Sequence, residues 1–342
     1  LFNPDNIGNK VAAALIAAAK RGVKVRVLVD GAGSFVVWGG RLKQQLEQAG
    51  VATRVFHPFP WHLDIRSHRN YYSSFQKCML MLLNINARNH RKTCVIDNRK
   101  AFIGSMNISQ VHCSHKLRPG WRDTAVLLQG ISLRPLTAAF NQAWQQQRFH
   151  QSLGEHLKKH LATSPTLRLN HHWRQRRLLY KSLLNQLHHA QQRIWITSAY
   201  FVPDNHIIRR LVKAAARGVD VKILLPKKTD VRYMAWVSTS FYPYLLQQGI
   251  QIYEYQPTML HAKTIIIDDW VMTGSSNMNH RSILHDLEVD VVLQQAQSKQ
   301  SLLDQFRHDL EQSMHVHPQR FSGRRYLRQI AGWLLSYFKH WL

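Results

Sequence analysis

Apolar and polar positions along this chain change period in a fixed order, and the order occurs twice. Val11–Arg21 sets small and aliphatic residues at helical spacing, Gly22 stops it, and Val23–Val29 is a short β-branched run. Ile207–Arg217, Gly218 and Val219–Leu225 repeat those events, and both copies carry Ala-Ala-x-Arg-Gly-Val. A second helix follows in each, Leu42–Ala49 with Gly50 and Tyr244–Gln248 with Gly249, then a strand, Val51–Phe56 and Ile250–Tyr255. Glycine after the last helical turn suits a C-cap. Helix–Gly–strand alternation predicts an α/β protein of two pseudo-symmetric α/β/α halves with mixed, largely parallel sheets.

The repeat also extends backward. Phe2-Asn-Pro-Asp-Asn6 matches Phe201-Val-Pro-Asp-Asn205. A helix-like run, Arg176–Gln192, and an apolar strand, Arg193–Thr197, precede the second copy, so symmetry leads us to expect a first strand ahead of Phe2, and a membrane anchor further upstream is compatible with it. Ser132–Phe149 reads as the helix closing the first half. The resulting division is residues 1–150 for the first half, 151–170 for a polar linker, 171–312 for the second half and 313–342 for a tail. Between Phe56 and the first motif lies an insert, Pro58–Asn89, rich in aromatic and basic residues and absent from the second half; its place suggests a lid at the cleft mouth. In the tail, Tyr326, Ile330, Trp333, Leu334, Tyr337, Phe338 and Trp341 share one helical face, with basic residues filling the opposite arc. That pattern suits a bilayer interface.

Charge sharpens the picture. The 342 residues carry a formal net charge of +27 and 21 histidines besides, which calls for a polyanionic partner, either nucleic acid or an anionic bilayer. Hydrophobic content of 45% suffices for real cores. The three cysteines, Cys78, Cys94 and Cys113, read as free thiols, since neither a disulfide framework nor zinc spacing is present. His112-Cys113-x-His115 reads as a polar loop rather than a metal site. No stretch reaches the ~18 apolar residues that a membrane span requires.

The chemistry sits in two copies of His-x-Lys-x4-Asp: His90, Lys92 and Asp97, then His261, Lys263 and Asp268. Each continues into Gly-Ser-x-Asn, with Ser105 and Asn107 in the first copy and Ser275 and Asn277 in the second. The residues after each His are apolar and β-branched, so each motif reads as a buried strand on which His and Lys share a face and Asp points elsewhere in a structural role. The Gly-Ser turn is expected to offer backbone N–H groups to an anion. Two imidazoles and two ammonium groups in one cleft suit a phosphodiester: one His attacks phosphorus, the other protonates the leaving alkoxide, and the lysines stabilise the transition state. Asp123 and Glu288 are candidates to orient an imidazole by accepting its N–H.

These motifs resemble those of the phospholipase D superfamily, in the form with both motifs in one chain. Asn-His-Arg-Lys at 89–92, Trp121-Arg122-Asp123-Thr124, Ala199-Tyr-Phe-Val-Pro203 and the Met259–Lys263 run with Arg281-Ser282 are most similar to bacterial cardiolipin synthases. The resemblance implies an active site at the interface of the halves, complete in a monomer, needing no metal and no cofactor, with His90 attacking first. It implies transfer of a phosphatidyl group from phosphatidylglycerol or a related phospholipid to a second lipid alcohol, at the cytoplasmic (inner) membrane of a bacterium, bound peripherally or through an upstream anchor, with anionic phospholipids as the partner. Hydrolysis by a phospholipase D or a nuclease is the alternative, and only there is nucleic acid a partner. One departure stands out: Asp286 occupies the place of the family's usual Asn shortly before Glu288.

Overall fold

The computed structural model describes residues 1–31, 34, 40–57, 88–115, 118–145 and 164–318. Most of the expected lid, the first part of the linker, nearly all of the amphipathic tail, and Cys78 lie outside the described residues. No described helix is long and apolar enough to cross a membrane. Two compact units emerge: Leu1–His90 with Asn107–Cys113 and Arg134–Ala162, and Arg91–Met106 with Ser114–Leu133 and Thr163–Leu342.

In the first unit, helix α1 (Asn6–Lys20) starts at Asp5, whose carboxylate accepts the Gly8 N–H at 3.0 Å. The same carboxylate takes the Gln110 N–H at 2.6 Å and the Ser109 hydroxyl at 2.9 Å, so one cap also ties down the segment after the first motif. Strand β1 (Arg26–Asp30), helix α2 (Arg41–Gln48) and strand β2 (Ala52–Phe56) follow, with β1 and β2 parallel. Gly22 and Gly50, which separate helix from strand, have φ of +88° and +85°, a region closed to most side chains. Ala12, Val29, Leu42 and Leu46 pack with Phe2 as the core. Helix α3 (Arg134–Gln145) brings Trp144 under the Arg54 guanidinium, 4.7 Å from its ring centroid.

The second unit holds both motif hairpins. Strands β3 (Lys92–Ile96), β4 (Lys100–Gly104) and β5 (Ala125–Gln129) form an antiparallel sheet. The remainder runs β6 (Leu167–Leu169), α4 (Trp173–His189), β7 (Arg193–Thr197), β8 (Phe201–Val202), α5 (Asn205–Ala216), β9 (Asp220–Pro226), α6 (Arg232–Ser240), α7 (Tyr242–Gln247), β10 (Gln251–Tyr255), β11 (Thr264–Ile267), β12 (Trp270–Gly274), β13 (Met278–Asn279), α8 (His280–Leu284), β14 (Val289–Val292), α9 (Ala296–Glu311) and β15 (Ser313–His315). Eight of these strands form one sheet in the order β15-β10-β9-β7-β11-β12-β14-β6. Leu183, Leu187, Ile196, Ile207, Leu211, Ile223, Ile252 and Ile265 belong to its core. Strand β4 lies against β12 and β14, which brings the two motif hairpins together inside this one unit.

The α/β class and the mixed sheets are as the pattern leads one to expect. Parallel pairing is the smaller share: in the large sheet it is confined to β7–β9 and β9–β10, where helices make the crossovers. Each motif strand instead turns straight back on itself, β3 into β4 and β11 into β12. Leu167–Leu169, read as the end of a linker, is an edge strand on β14. In the second half β7 pairs with both β9 and β11.

Gly104 and Gly274 face Ala125 and Asp290 across β4–β5 and β12–β14. A Cβ on Gly104 would lie 2.6 Å from the Thr124 carbonyl oxygen, and one on Gly274 would lie 2.6 Å from the Asp290 Cα. Gly274→Ala should therefore lower unfolding stability by about 1–3 kcal/mol through overpacking, read as a reduced urea midpoint at constant slope. An unchanged midpoint would rule out the close approach.

Candidate active site

The segment Trp121–Thr124 is held against the approach to the second motif by backbone pairing. The Arg122 N–H donates to the Met259 carbonyl at 2.8 Å, and the Arg122 carbonyl accepts from His261 and Ala262, each at 2.8 Å. The Arg122 guanidinium fixes the segment from the other side, binding both carboxylate oxygens of buried Asp309 on α9 at 3.0 Å, the Thr124 hydroxyl at 3.1 Å and the Asp123 carbonyl. A bidentate Arg–carboxylate pair of this kind fixes geometry as well as charge.

That clamp places Asp123 on His261. Asp123 Oδ1 lies 2.7 Å from His261 Nδ1 and accepts the Ser105 hydroxyl at 2.7 Å. A carboxylate at Nδ1 selects the tautomer with the proton there and the lone pair on Nε2. Burial, and after it the Lys263 ammonium, push the imidazole down to about 3 against the pull of Asp123. His261 is thus a neutral, oriented base at ordinary pH. The Trp121 indole covers one side, with ring centroids 5.4 Å apart.

The acid and serine pairing occurs in both copies. Ser105, on the first motif's Gly-Ser turn, donates to Asp123; Ser275, on the second's, donates to Glu288. Each serine hydroxyl also takes the N–H of the residue after the acid, Thr124 or Val289, at 3.0 Å. The turn's backbone N–H groups are not offered to an anion as expected. Ser105 and Ser275 donate theirs to the Thr124 and Val289 carbonyls at 3.0 Å, and Gly274 donates to Lys263. The glycines are there to let the next strand approach, and the serines to hold the acids.

Lys263 is almost fully buried, and its ammonium donates to the His261 carbonyl. Burial first, then the Lys92 ammonium, push it down to about 7. Lys92 thus acts electrostatically on both Lys263 and His261, so the two motifs share one electrostatic environment. Glu288, also buried, is pushed up by desolvation and drawn back by Lys92 and its serine partners.

Asp97 and Asp268 stand apart from this cluster. Both begin the hairpin turns at positive φ, 52° and 50°. The Asp268 carboxylate accepts N–H groups of Gln191, Gln192 and Arg193 at 2.8–2.9 Å, which sews the β11–β12 turn to the start of β7. Asn277 is buried, its N–H donating to the Ser282 hydroxyl at 3.3 Å, and its side-chain oxygen has no hydrogen-bond partner among the described residues. Half-buried His90 and Asn107 belong to the first unit. Asp286 carries the Arg281 guanidinium at 3.3 Å, and its carbonyl takes the Asn170 amide at 2.9 Å, which accounts for an acid at that position.

The residues missed in the sequence are Asp309, with no local signal on a polar helix, and Asp290. The latter is buried, accepts from the Ser276 N–H and hydroxyl, and is pushed up to about 6 by burial.

Two outcomes follow from the electrostatics. Nitrogen-resolved NMR of His261 should show the neutral Nδ1–H form throughout pH 5–8; a midpoint near its ordinary 6.5 would sink the assignment. Lys263→Met should fold at least as stably as the parent at pH 7 while losing about 10²–10³-fold in turnover. From pH 7 to about 10 the unfolded chain holds a lysine proton that the folded one has released, so parent stability should climb relative to the variant across that window.

The profile of the family described as "Cardiolipin synthase, PLD-like domain" matches residues 6–117 and 183–310. The chain is 32% identical over 95% of its length to the cardiolipin synthase of Alkalihalophilus pseudofirmus and 31% identical over 97% to that of Clostridium perfringens strain SM101. It spans 63% and 68% of those two proteins. The crystal structure of phosphatidylserine synthase from Haemophilus influenzae superposes on 96% of the chain, and on 91% of its own, with a TM-score of 0.62 at 12% identity, a likeness of fold. Both halves being matched by one profile, the chain belongs to the PLD-like domain family of the cardiolipin synthases.

Proposed function

We propose that this chain carries the catalytic centre of a cardiolipin synthase-type phosphatidyltransferase, acting through a phosphohistidine. The observation that supports it most is His261 oriented by Asp123 and held neutral by burial and by the lysines of both motifs. Neutral imidazole is the nucleophile and base that phosphodiester chemistry requires, and Lys92 and Lys263 are placed to stabilise charge on the non-bridging oxygens.

In the first step one imidazole, His90 or His261, forms an N–P bond as the P–O bond to the head-group glycerol breaks. The electron pair leaves on the alkoxide, which takes a proton from the other imidazole. In the second step a lipid hydroxyl gives its proton back to that imidazole and attacks phosphorus, and the N–P bond breaks. With phosphatidylglycerol as donor and acceptor the product is a four-chain lipid and free glycerol. Asp123 and Ser105 hold His261, and Glu288 and Ser275 supply the equivalent acid and latch. Asp97 and Asp268 act structurally. The named relatives are bacterial, and the reading puts the protein on the inner membrane, where the net charge of +27 favours anionic phospholipid.

The test is incubation of the full-length protein with phosphatidylglycerol vesicles and chelator, with single-stranded DNA as a parallel substrate and mass spectrometry as readout. A four-chain lipid should form, at least about 10³-fold less in His261→Ala and His90→Ala. A phosphopeptide trapped by acid quench identifies the attacking histidine. Phosphatidic acid as the main product would mean hydrolysis, and nicked DNA without lipid product would mean a nuclease.

A further inference from the structure

Outside the catalytic cluster, the second unit has an open cleft of about 340 Å3, within the size range of small-molecule sites. Three segments wall it: 118–121, the loop 228–230 after β9, and 257–259 after β10. It opens at the carboxyl ends of two adjacent parallel strands, where open α/β sheets take their ligands.

Two features tie this cleft to the reacting centre. Trp121 is a shared wall, since the indole that lines the cleft stands 5.4 Å from the His261 ring. The Arg122–Met259 and His261–Arg122 backbone hydrogen bonds, at 2.8 Å, fix the cleft floor to the same segment that carries the imidazole. Whatever occupies the cleft lies one indole away from His261.

The side chains at the rim set the ligand's charge. Arg118 and Lys228 are exposed there. The Lys228 ammonium donates to the Pro257 carbonyl at 3.0 Å, which leaves it further N–H donors. Asp230, the one carboxylate among the described lining residues, accepts the Tyr200 hydroxyl at 2.7 Å. A cationic rim with hydroxyls behind it, from Thr229 and Thr258, suits a phosphate esterified to a polyol.

The surface beside the cleft points to where that ester comes from. Loop 228–230 runs into α6, which buries Met234 and Val237 with Val202 and turns Tyr233 and Trp236 outward at 47% and 42% exposure. Tyrosine and tryptophan side by side on an outward helix face are amphipathic groups that suit a membrane–water interface.

We propose that this cleft is the head-group subsite of the acceptor glycerophospholipid, with Arg118 and Lys228 binding its non-reacting phosphate and Trp121 standing between that phosphate and the His261 ring. The inference rests on the phosphatidyltransferase reading for its consequence in catalysis, but binding is measurable without turnover. The probe is glycerophosphoglycerol, the soluble head group, titrated into the full-length protein by calorimetry. Arg118→Gln/Lys228→Gln should weaken binding at least tenfold, and in vesicle assays should raise KM for phosphatidylglycerol more than it lowers kcat. With free glycerol replacing the lipid acceptor the rise in KM should disappear, and a rise that persists there would overturn the acceptor assignment. Head-group binding changed less than twofold in the double variant would overturn the subsite, whatever the turnover. An inactive parent that still binds the head group through Arg118 and Lys228 would uphold the subsite and overturn the transferase reading.

Discussion

One carboxylate governs the reactive centre. Asp123 accepts simultaneously from Ser105 on the first motif's turn and from His261 on the second motif, 138 residues further along the chain. A hydrogen bond between residues so far apart forms only when the β3–β5 hairpins and the large sheet have already found each other. The Arg122–Asp309 pair explains how that meeting is made rigid: it joins the Asp123 loop to α9, so the acid is aimed by a neighbour in sequence and a partner at the far end of the fold. Orientation of the imidazole is thus a property of the assembled tertiary structure, and neither motif has it alone.

The same assembly concentrates charge. Two ammonium groups, Lys92 and Lys263, lie in one field with two buried or half-buried carboxylates, Asp123 and Glu288. That field is poorly solvated, and the titration shifts record it: burial and Lys92 push Lys263 down to about 7, while desolvation pushes Glu288 up. Under the proposed reaction, a phosphodiester entering the cluster adds negative charge beside the lysines and stabilises their charged forms where transition-state charge develops. The electrostatic cost is carried by the folded protein beforehand, so little reorganisation remains for the reaction itself.

Much of this was legible in the chain, for physical reasons that can be named. The helix–Gly–strand repeat is local, because capping glycines and apolar periodicity act over a few residues, and α1, β1, α5 and β9 lie within a few residues of where the pattern puts them. The motif His and Lys stood out because charged groups beside an apolar run are costly without a task. Only Lys92 lies on its strand; His90, His261 and Lys263 come just ahead of β3 and β11. The Gly-Ser turn was misread for an equally physical reason: small residues look the same in sequence whether they admit an anion or a neighbouring strand, and only the register Gly274↔Asp290 separates the two. The Arg122–Asp309 pair spans 187 positions, beyond any periodicity. Asp290 reads as one more polar residue until its burial is known.

That last residue bears on how a symmetric fold runs an asymmetric reaction. Double displacement needs two imidazoles with different proton states at each moment, and a strict repeat would make them alike. The halves are alike in the acid–serine latch but differ two positions on, where Ala125 in the first stands opposite Asp290 in the second. Asp290 and Glu288 are both buried, and Asp290 holds its proton more readily for the presence of Glu288. Asp123 has no such neighbour at the matching position and faces His261 across 2.7 Å. A duplicated scaffold supplies the acid–serine latch twice, and one buried carboxylate, Asp290, makes the surroundings of the second latch unlike those of the first.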